Sequence, residues 1–279
     1  MKYKIIVDSS CDLNSSYIKD ENIGLAIAPL TIHVDGREFV DDEKLEIKEM
    51  LDSMNAFKGK STSSCPSPMS FLEEIKGADK YFILTISSKL SGSYNSATVA
   101  KNTYKNPEDV FVIDSKATSG ALVLTVDKLV ELIKKEIPYE KICEKMISYV
   151  DENLKLLFVL NKFDNLVKNG RVSKLKAAIA TTLTIKPICE ACDGDIKFGK
   201  NAFGLRNAKK VLFNTIGEKV KDFKGKKCIV SYCENLEVAE KLKQEIEEKY
   251  SFESVRLIPM RGLTSFYALE GALIVSFEK

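Results

Sequence analysis

Short apolar runs alternate with amphipathic helical patterns along the first half of the chain. Runs of strand length that are rich in branched residues predict strands, and apolar residues spaced three and four apart predict helices. A parallel sheet with helices on both faces is the expected result of this alternation. The predicted strands are Lys4–Asp8, Leu25–His33, Tyr81–Ser87 and Val110–Asp114, and the predicted helices are Ile47–Phe57, Ser67–Ile75, Ser93–Tyr104, Ser119–Glu136 and Tyr139–Val150.

The pattern changes after about residue 152. Two β-like runs flank Asp193-Gly194, a dipeptide typical of hairpin turns, so part of the second half is predicted to be antiparallel. We therefore predict an α/β fold of two domains, residues 1–152 and 153–279. In the second domain the predicted strands are Leu156–Asn161, Thr184–Glu190, Ile196–Gly199, Cys228–Tyr232, Ser254–Ile258 and Ala272–Phe277, and the predicted helices are Asp164–Lys168, Ser173–Thr182, Leu205–Asp222 and Glu237–Tyr250.

Bulk properties narrow the class of protein. A chain of 279 residues is long enough to form two domains. The net charge of +2 comes from interspersed acids and bases, so no segment is predicted to bind nucleic acid. No apolar run approaches the roughly 20 residues that span a bilayer, and the first residues enter a strand pattern rather than a signal peptide. We expect a cytoplasmic protein without stable membrane insertion.

Seven cysteines are present, and reduced, mostly buried thiols are the default in the cytoplasm. Cys189 and Cys192 form a C-x-x-C pair. A zinc site requires a second pair or matching histidines, and the chain has one histidine, His33. A thioredoxin-type motif opens a helix, whereas this pair precedes a hairpin turn. We predict a structural role for the pair and no cofactor, with a redox or metal site as the alternative.

The segment 85–97 carries the most chemical information. A predicted strand runs into the hydroxyl-rich loop of residues 87–93, and a predicted helix follows. Unpaired backbone N–H groups, the positive end of the helix dipole and several hydroxyls therefore meet at one point, which suits a carboxylate or a phosphate. The alternative is that Ser91 or Ser93 simply caps the helix.

Two further segments offer groups that bind anions. Residues 61–68 are rich in Ser and Pro and are predicted to lead into a helix, although an ordinary cap or linker has the same composition. Asn169-Gly170 is typical of a left-handed turn that ends a helix, and it places Arg171 at a defined position. Arg171 is either an anion clamp or a solvated surface residue.

Together these residues resemble the DegV family of bacterial fatty-acid-binding proteins. The resemblance implies two α/β domains, the second closing a tunnel that holds one long-chain fatty acid as ligand, with the carboxylate on hydroxyls of the two Ser-rich loops. In related proteins a partner kinase phosphorylates that carboxylate. The matching segments, in the family's order, are Val7–Ser10 with Asp12-Leu13, Ser63–Pro68, Ser87–Ala97, Ile113–Ser115, Lys168–Ser173, Ile185–Ile188 with Asp193-Gly194, and Arg206 with Lys209.

Carried over by position, the family's Thr-Ser-x-Pro-Ser motif falls on residues 63–67 and its Ser-Gly-Thr motif on residues 91–93. The predicted ligand-binding residues are therefore Ser63, Ser64, Ser91, Gly92 and Ser93, assisted by Arg171.

The chain departs from the family pattern in two motifs and near the C-terminus, where Phe266-Tyr267 and then Ala268-Leu269-Glu270-Gly271 stand in place of the family's Thr-His and Gly-Pro-Gly. Serine replaces the family's threonine at 63 and 93, and Tyr232 and Tyr267 stand where many members have histidine. Lipid binding is expected to survive because it depends on hydroxyls and an apolar tunnel. A fatty acid kinase is expected as a partner from the resemblance alone.

A carrier is favoured over an enzyme. The chain has no dinucleotide fingerprint, no Gly-Lys-Ser/Thr phosphate loop and no H-E-x-x-H motif. His33 has no evident nucleophile partner in the sequence. The alternative is a small-molecule enzyme, either a phosphotransferase or an acyl hydrolase, that uses the same anion site.

Overall fold

The computed structural model describes residues 1–172 and 185–279, and a parallel sheet forms its first half. The four strands are ordered β2-β1-β6-β7, and every neighbouring pair is parallel, as predicted. The predicted helix Ser173–Thr182 lies outside the described residues. The strands are β1 (Tyr3–Asp8), β2 (Ile23–Ala28), β6 (Lys80–Thr85) and β7 (Val110–Asp114).

Helices cover both faces of this sheet, which confirms the prediction. On one face α2 (Pro68–Leu72) and α3 (Ser93–Thr103) bury their apolar sides, and on the other α4 (Gly120–Lys134) and α5 (Tyr139–Ser148) do so. Because the ends of the strands are uncovered, the loops that follow them converge at the carboxyl edge of the sheet. This is the edge at which open parallel sheets bind ligands.

The prediction of one strand over Leu25–His33 is wrong. The chain leaves the parallel sheet after β2, and β3 (Thr31–Val34) instead pairs antiparallel with β4 (Arg37–Val40) and β5 (Thr62–Ser64) in a three-stranded sheet. Pro29 lies at the break, where it has no N–H to donate to a ladder. The helix α1 (Ile47–Ala56) packs on this small sheet.

The second half contains a six-stranded sheet in the order β10-β9-β8-β13-β11-β12. Only β11 and β12 are parallel, so the sheet is mainly antiparallel. Asp193 and Gly194 both have positive φ between β9 and β10, which confirms the predicted hairpin turn. The strands are β8 (Leu154–Val159), β9 (Ile185–Cys192), β10 (Asp195–Phe203), β11 (Lys227–Tyr232), β12 (Ser254–Pro259) and β13 (Leu273–Glu278).

Within residues 153–172 and 185–279, the described helices beside the mixed sheet are α6 (Asp164–Lys168), α7 (Gly204–Lys219), α8 (Leu236–Lys249) and α9 (Gly262–Ala268). The apolar sides of α7 and α8 cover one face of the sheet. The other face packs against α4, the three-stranded sheet and α9. The sequence pattern did not predict the helix α9.

The helix α4 lies between the two large sheets. Ten of its residues are buried, so it is apolar on nearly all sides, as expected of a helix that is packed from every direction. It packs in one cluster with residues of β1 and β6 on one side and Ile229 of β11 on the other. The predicted boundary at residue 152 therefore falls beside a continuous core, and it stays a prediction. In the described ranges, no helix is both long and apolar enough to cross a membrane.

Candidate functional site

A cavity of about 310 Å³ lies between the carboxyl edge of the parallel sheet and the inner face of the mixed sheet. Its walls are mostly aliphatic and come from both halves of the chain, including Ile86 after β6, Phe158 on β8 and Leu263 on α9. Five of the six predicted ligand-binding residues line it: Ser63, Ser64, Ser91, Gly92 and Arg171. Folding therefore brings together three segments that are far apart in the sequence.

The loop after β6 forms the hydroxyl-rich turn predicted from residues 87–93. The Ser91 amide donates to the Ser87 carbonyl over 3.1 Å, which folds the chain back toward α3. The Ser91 hydroxyl accepts a hydrogen bond from the Ser93 amide at 3.3 Å, which is a local turn contact, because the N-cap of α3 is Gly92 and no side chain caps this helix. Ser93 is fully buried behind it, with the two side-chain oxygens 3.1 Å apart.

The Ser-rich segment 61–67 is a strand rather than a loop at its centre. Ser63 pairs with Ile32 in the three-stranded sheet, and this register directs the Ser63 hydroxyl toward α9. Ser64 is exposed at the rim of the cavity. Ser67 caps α2 by accepting from the Ser70 amide at 3.1 Å, which confirms the cap interpretation for that residue.

Tyr267 is a lining residue that the sequence analysis noted only as a departure from the family. Its hydroxyl lies 2.9 Å from the Ser63 hydroxyl. Each of these groups can donate a hydrogen bond, so the pair offers donors to an anion at this end of the cavity. Sequence patterns missed Tyr267 because α9 is only seven residues long and buried on almost every side.

Arg171 lies beside the hydroxyl-rich turn. Its Nε donates to the Leu90 carbonyl at 3.0 Å, and its Nη1 donates to the Asn169 carbonyl. Gly170 has φ +76°, which forms the predicted left-handed turn and directs the arginine back over the loop. The guanidinium is therefore fixed next to Ser91 rather than free in solvent.

A buried carboxylate holds the start of α9. Asp41 accepts hydrogen bonds from the Gly262 and Leu263 amides at 2.8 and 2.9 Å. A Cβ on Gly262 would come within 2.6 Å of Asp41 Oδ1, so only glycine allows this approach. The clamp fixes α9, and through α9 it positions the Tyr267 hydroxyl.

Two more buried carboxylates support the loops. Burial raises the pKa of Asp12 to about 7, against the lowering effect of hydrogen bonds from Arg261, Ser119 and Thr264. Burial likewise raises the pKa of Asp8 to about 6, although Ser10 and the Ile86 amide donate to it. Neither carboxylate lines the cavity; they organise its surroundings.

His33 contacts two polar side chains that the sequence did not reveal. Its Nε2 lies 3.0 Å from the Ser64 hydroxyl, and its Nδ1 lies 3.6 Å from Glu38. The three residues come from three adjacent strands, a cross-strand proximity that spacing along the chain did not reveal.

Cys189 and Cys192 of the C-x-x-C pair do not form a disulfide with each other. Cys189 and Cys192 lie three positions apart on β9, so their side chains point to opposite faces of the sheet. Both thiols are free, and burial raises the pKa of Cys189. Across residues 1–172 and 185–279 no cluster of three or more His, Cys, Asp or Glu could hold a metal ion.

A family model described as "Uncharacterised protein, DegV family" matches residues 2–279. The chain belongs to the DegV family. A DegV domain-containing protein of Streptococcus pneumoniae is 38% identical to this DegV protein over 283 residues, which cover 100% of this chain and 99% of that relative.

Solved structures agree with this assignment. The Fatty Acid Kinase (Fak) B3 protein of Streptococcus pneumoniae, loaded with linoleic acid, superposes with a TM-score of 0.93 at 36% identity, covering 100% of this chain and 99% of that one. A DegV family protein of Ruminococcus gnavus with vaccenic acid superposes with a TM-score of 0.92 at 29% identity, covering 99% of both chains. The DegV fold of this chain is thus the predicted α/β architecture, with one parallel and one mixed sheet.

Proposed function

We propose that this DegV protein binds one long-chain fatty acid in the cavity and carries it without transforming it. The observation that carries the proposal is the lining of the site: a mostly aliphatic cavity of about 310 Å³ whose wall also includes the hydroxyl-bearing residues Ser63, Tyr267 and Ser91. That arrangement matches a ligand with a long apolar chain and one small anionic group.

The acyl chain and the carboxylate of the ligand require different surroundings in the protein. Burial of an acyl chain stabilises the complex by roughly 0.8 kcal/mol per methylene, so the aliphatic walls supply most of the affinity. The carboxylate must be hydrogen-bonded, because an unpaired charge beside an apolar wall is costly. Neutral hydroxyl donors meet that need, and the guanidinium of Arg171 adds a positive charge beside the loop.

The proposed headgroup site keeps every residue expected from the sequence and adds Tyr267. Ser63, Ser64, Ser91, Gly92 and Arg171 all line the cavity. Ser93 acts through Ser91, because its hydroxyl is buried and lies against the Ser91 oxygen. The bound linoleic and vaccenic acids in the two similar structures support this class of ligand.

Uptake of a free acid and of its methyl ester separates the headgroup from the chain. Delipidated protein mixed with oleic acid is expected to give a one-to-one adduct in native mass spectrometry. Methyl oleate, which has the same chain and no charge, is expected to bind more weakly. A protein that takes up neither compound, or the ester as tightly as the acid, contradicts the proposed site.

A fatty acid kinase is the proposed partner. The hydroxyl end of the cavity opens at Ser64, Cys65 and Gly92, which are all exposed, so a second protein can reach a carboxylate bound there. With a fatty acid kinase and ATP, the loaded protein is expected to yield an acyl phosphate, trapped as a hydroxamate. Absence of the hydroxamate with a kinase active on its own carrier protein argues against this partner.

The proposed compartment is the cytoplasm. All seven cysteines are unpaired thiols, four of them buried, as expected of a protein that stays in a reducing environment.

An acyl hydrolase is the second candidate, favoured by the contact between Ser64 and His33 at the cavity rim. Histidine at this distance can take the serine proton, as in nucleophilic catalysis. Hydrolysis of p-nitrophenyl esters that is lost in Ser64→Ala would support this candidate. The carrier proposal predicts no such turnover in either protein.

A further inference from the structure

Cys192 and Lys197 contact each other across the hairpin turn between β9 and β10. The Lys197 Nζ donates a hydrogen bond to the Cys192 Sγ over 2.9 Å. Cys192 pairs with Asp195 in the hairpin, and Lys197 is two residues beyond Asp195, so both side chains lie on the same face of the ladder. Glu190, which is directly opposite Lys197, instead binds Lys219 at 2.6 Å. Register and this ion pair therefore direct the Lys197 ammonium to the thiol.

Cys192 is one of the few thiols that solvent reaches. Four of the seven cysteines are buried. Cys143 is half-buried, and burial raises the pKa of its thiol to about 11, so it stays protonated at neutral pH. Cys65 is exposed, and its sulfur lies 3.9 Å from the Ser96 hydroxyl, which carries no charge. Cys192 is partly exposed, so a small reagent can reach its sulfur.

The Lys197 ammonium is the charged group nearest to the Cys192 sulfur. An ammonium at hydrogen-bonding distance stabilises a thiolate, which is the nucleophilic form of cysteine. The same contact raises the pKa of Lys197, and the hydrogen bond with Cys192 is the main cause. The carboxylate of Asp193 is also close, but it lies 3.7 Å from the sulfur, farther than the ammonium. Of the accessible thiols in the described ranges, Cys192 is therefore the one with a cation beside its sulfur.

We propose that Cys192 and Lys197 form a site of reversible oxidation, at which hydrogen peroxide joins the two side chains by a sulfenamide S–N bond. The site is independent of the proposed fatty-acid binding. It spans the turn that contains Gly194, which lines the cavity and whose carbonyl accepts a hydrogen bond from the Ser87 hydroxyl. The modification therefore lies on a turn that contacts the hydroxyl-rich loop.

The reaction has two balanced steps. In the first, the Cys192 sulfur attacks one oxygen of the peroxide, the S–O bond forms and the O–O bond breaks, and the departing hydroxide takes the proton that the thiol has lost. The sulfur is oxidised by two electrons to a sulfenic acid, and the peroxide is reduced to water. In the second, the Lys197 ammonium gives one proton to solvent, its nitrogen attacks the sulfur, and the S–O bond breaks. The hydroxide leaves as water with a second proton from the nitrogen.

Tryptic peptide mapping of the peroxide-treated protein tests the bond. Trypsin does not cut after a lysine whose nitrogen is bonded to sulfur, so we expect loss of cleavage at Lys197. The uncleaved peptide is expected to be lighter by two hydrogen atoms than its reduced form. Dithiothreitol should restore both the cleavage and the Cys192 thiol, because its own two thiols are oxidised to a disulfide in exchange. Loss of two hydrogens with normal cleavage at Lys197 indicates a disulfide between Cys189 and Cys192 and overturns the proposal, as does an unmodified Cys192.

Lys197→Arg separates the charge from the nucleophile. Arginine keeps a cation beside the sulfur, but its guanidinium stays protonated and does not attack a sulfenic acid. In this variant we expect dimedone, which traps sulfenic acids, to label Cys192, and we expect no S–N bond. Cys65→Ser is the matched control, because it removes the other accessible thiol and should leave the bond between Cys192 and Lys197 unchanged. Absence of the dimedone label on Cys192 in Lys197→Arg, or loss of the bond in Cys65→Ser, overturns the proposal.

Discussion

The hydroxyl oxygens of Ser63 and Tyr267 lie 2.9 Å apart, although 204 positions separate them in the chain. Ser63 is held by the register of β5 against β3, and Tyr267 is held by α9, whose first amides bind Asp41. The two hydroxyls therefore meet only when both halves of the molecule are folded. Their contact links the proposed headgroup site to the buried carboxylates beneath it.

Tyr267→Phe removes one donor and leaves the ring in place. We expect fatty-acid affinity to fall by about 1 kcal/mol, or roughly fivefold in Kd, with little change in Tm. Displacement of a fluorescent fatty acid measures this. Tyr232→Phe is the control, because Tyr232 is also half-buried but lies outside the cavity lining. Equal affinities for the two variants would remove Tyr267 from the site.

Ser63→Ala combined with Ser91→Ala removes the two hydroxyls at the headgroup end. We expect the variant to bind fatty acid more weakly than either single variant, since the carboxylate then loses two donors. Isothermal titration calorimetry of the delipidated proteins measures the difference.

Ser67→Ala is the matched control for that pair. Its hydroxyl caps α2 outside the cavity lining, so it should cost about 1 kcal/mol of stability and leave affinity unchanged. If the double variant binds as well as Ser67→Ala does, the headgroup lies elsewhere.

Asp12 is expected to make stability fall as pH rises from 3.8 toward about 7. Burial raises its pKa from an ordinary value of 3.8 to about 7, so the folded protein holds this proton more tightly than the unfolded chain. The stabilisation is complete below the unfolded pKa and disappears as pH passes the folded pKa. Asp8, with a pKa of about 6, acts in the same direction. Urea unfolding at a series of pH values from 3.8 to about 7, the ordinary and the raised pKa of Asp12, measures the slope.

Asp12→Asn should flatten that slope, because the amide does not titrate. Asp52→Asn, at an exposed position on α1, should leave the slope unchanged. A slope of the same size in Asp12→Asn and in the unsubstituted protein would contradict the assignment.

Asp41→Asn should loosen α9. Both carboxylate oxygens accept backbone hydrogen bonds, and the asparagine side chain replaces one acceptor with a donor. We expect a loss of about 1–3 kcal/mol in the free energy of unfolding. We also expect a lower affinity for fatty acid, because Tyr267 is on α9. The neighbouring Asp42→Asn, whose carboxylate accepts from the nearby Lys44 amide, is the control and should change neither quantity by as much.

Periodicity predicted most of the larger elements. The strand Lys4–Asp8 is found at Tyr3–Asp8, and the helix Ser119–Glu136 at Gly120–Lys134. Such elements are recognisable because burial imposes a period of two on strands and 3.6 on helices. The predictions that failed concern segments that are short or that pass from one sheet to another, as the chain does at Pro29 between β2 and β3.

The residue types of the site were visible in the sequence, but their arrangement was not. Hydroxyl-rich loops and an arginine after an Asn-Gly turn indicated an anion, since donor chemistry is a property of each residue. The partners of Ser63 and Ser64 came from the folded structure: Tyr267 lies on a helix from the other half of the chain, and His33 lies on a neighbouring strand. Contacts of that kind depend on strand register and on how the two sheets pack, so only the tertiary structure decided which donors share one cavity and where that cavity ends.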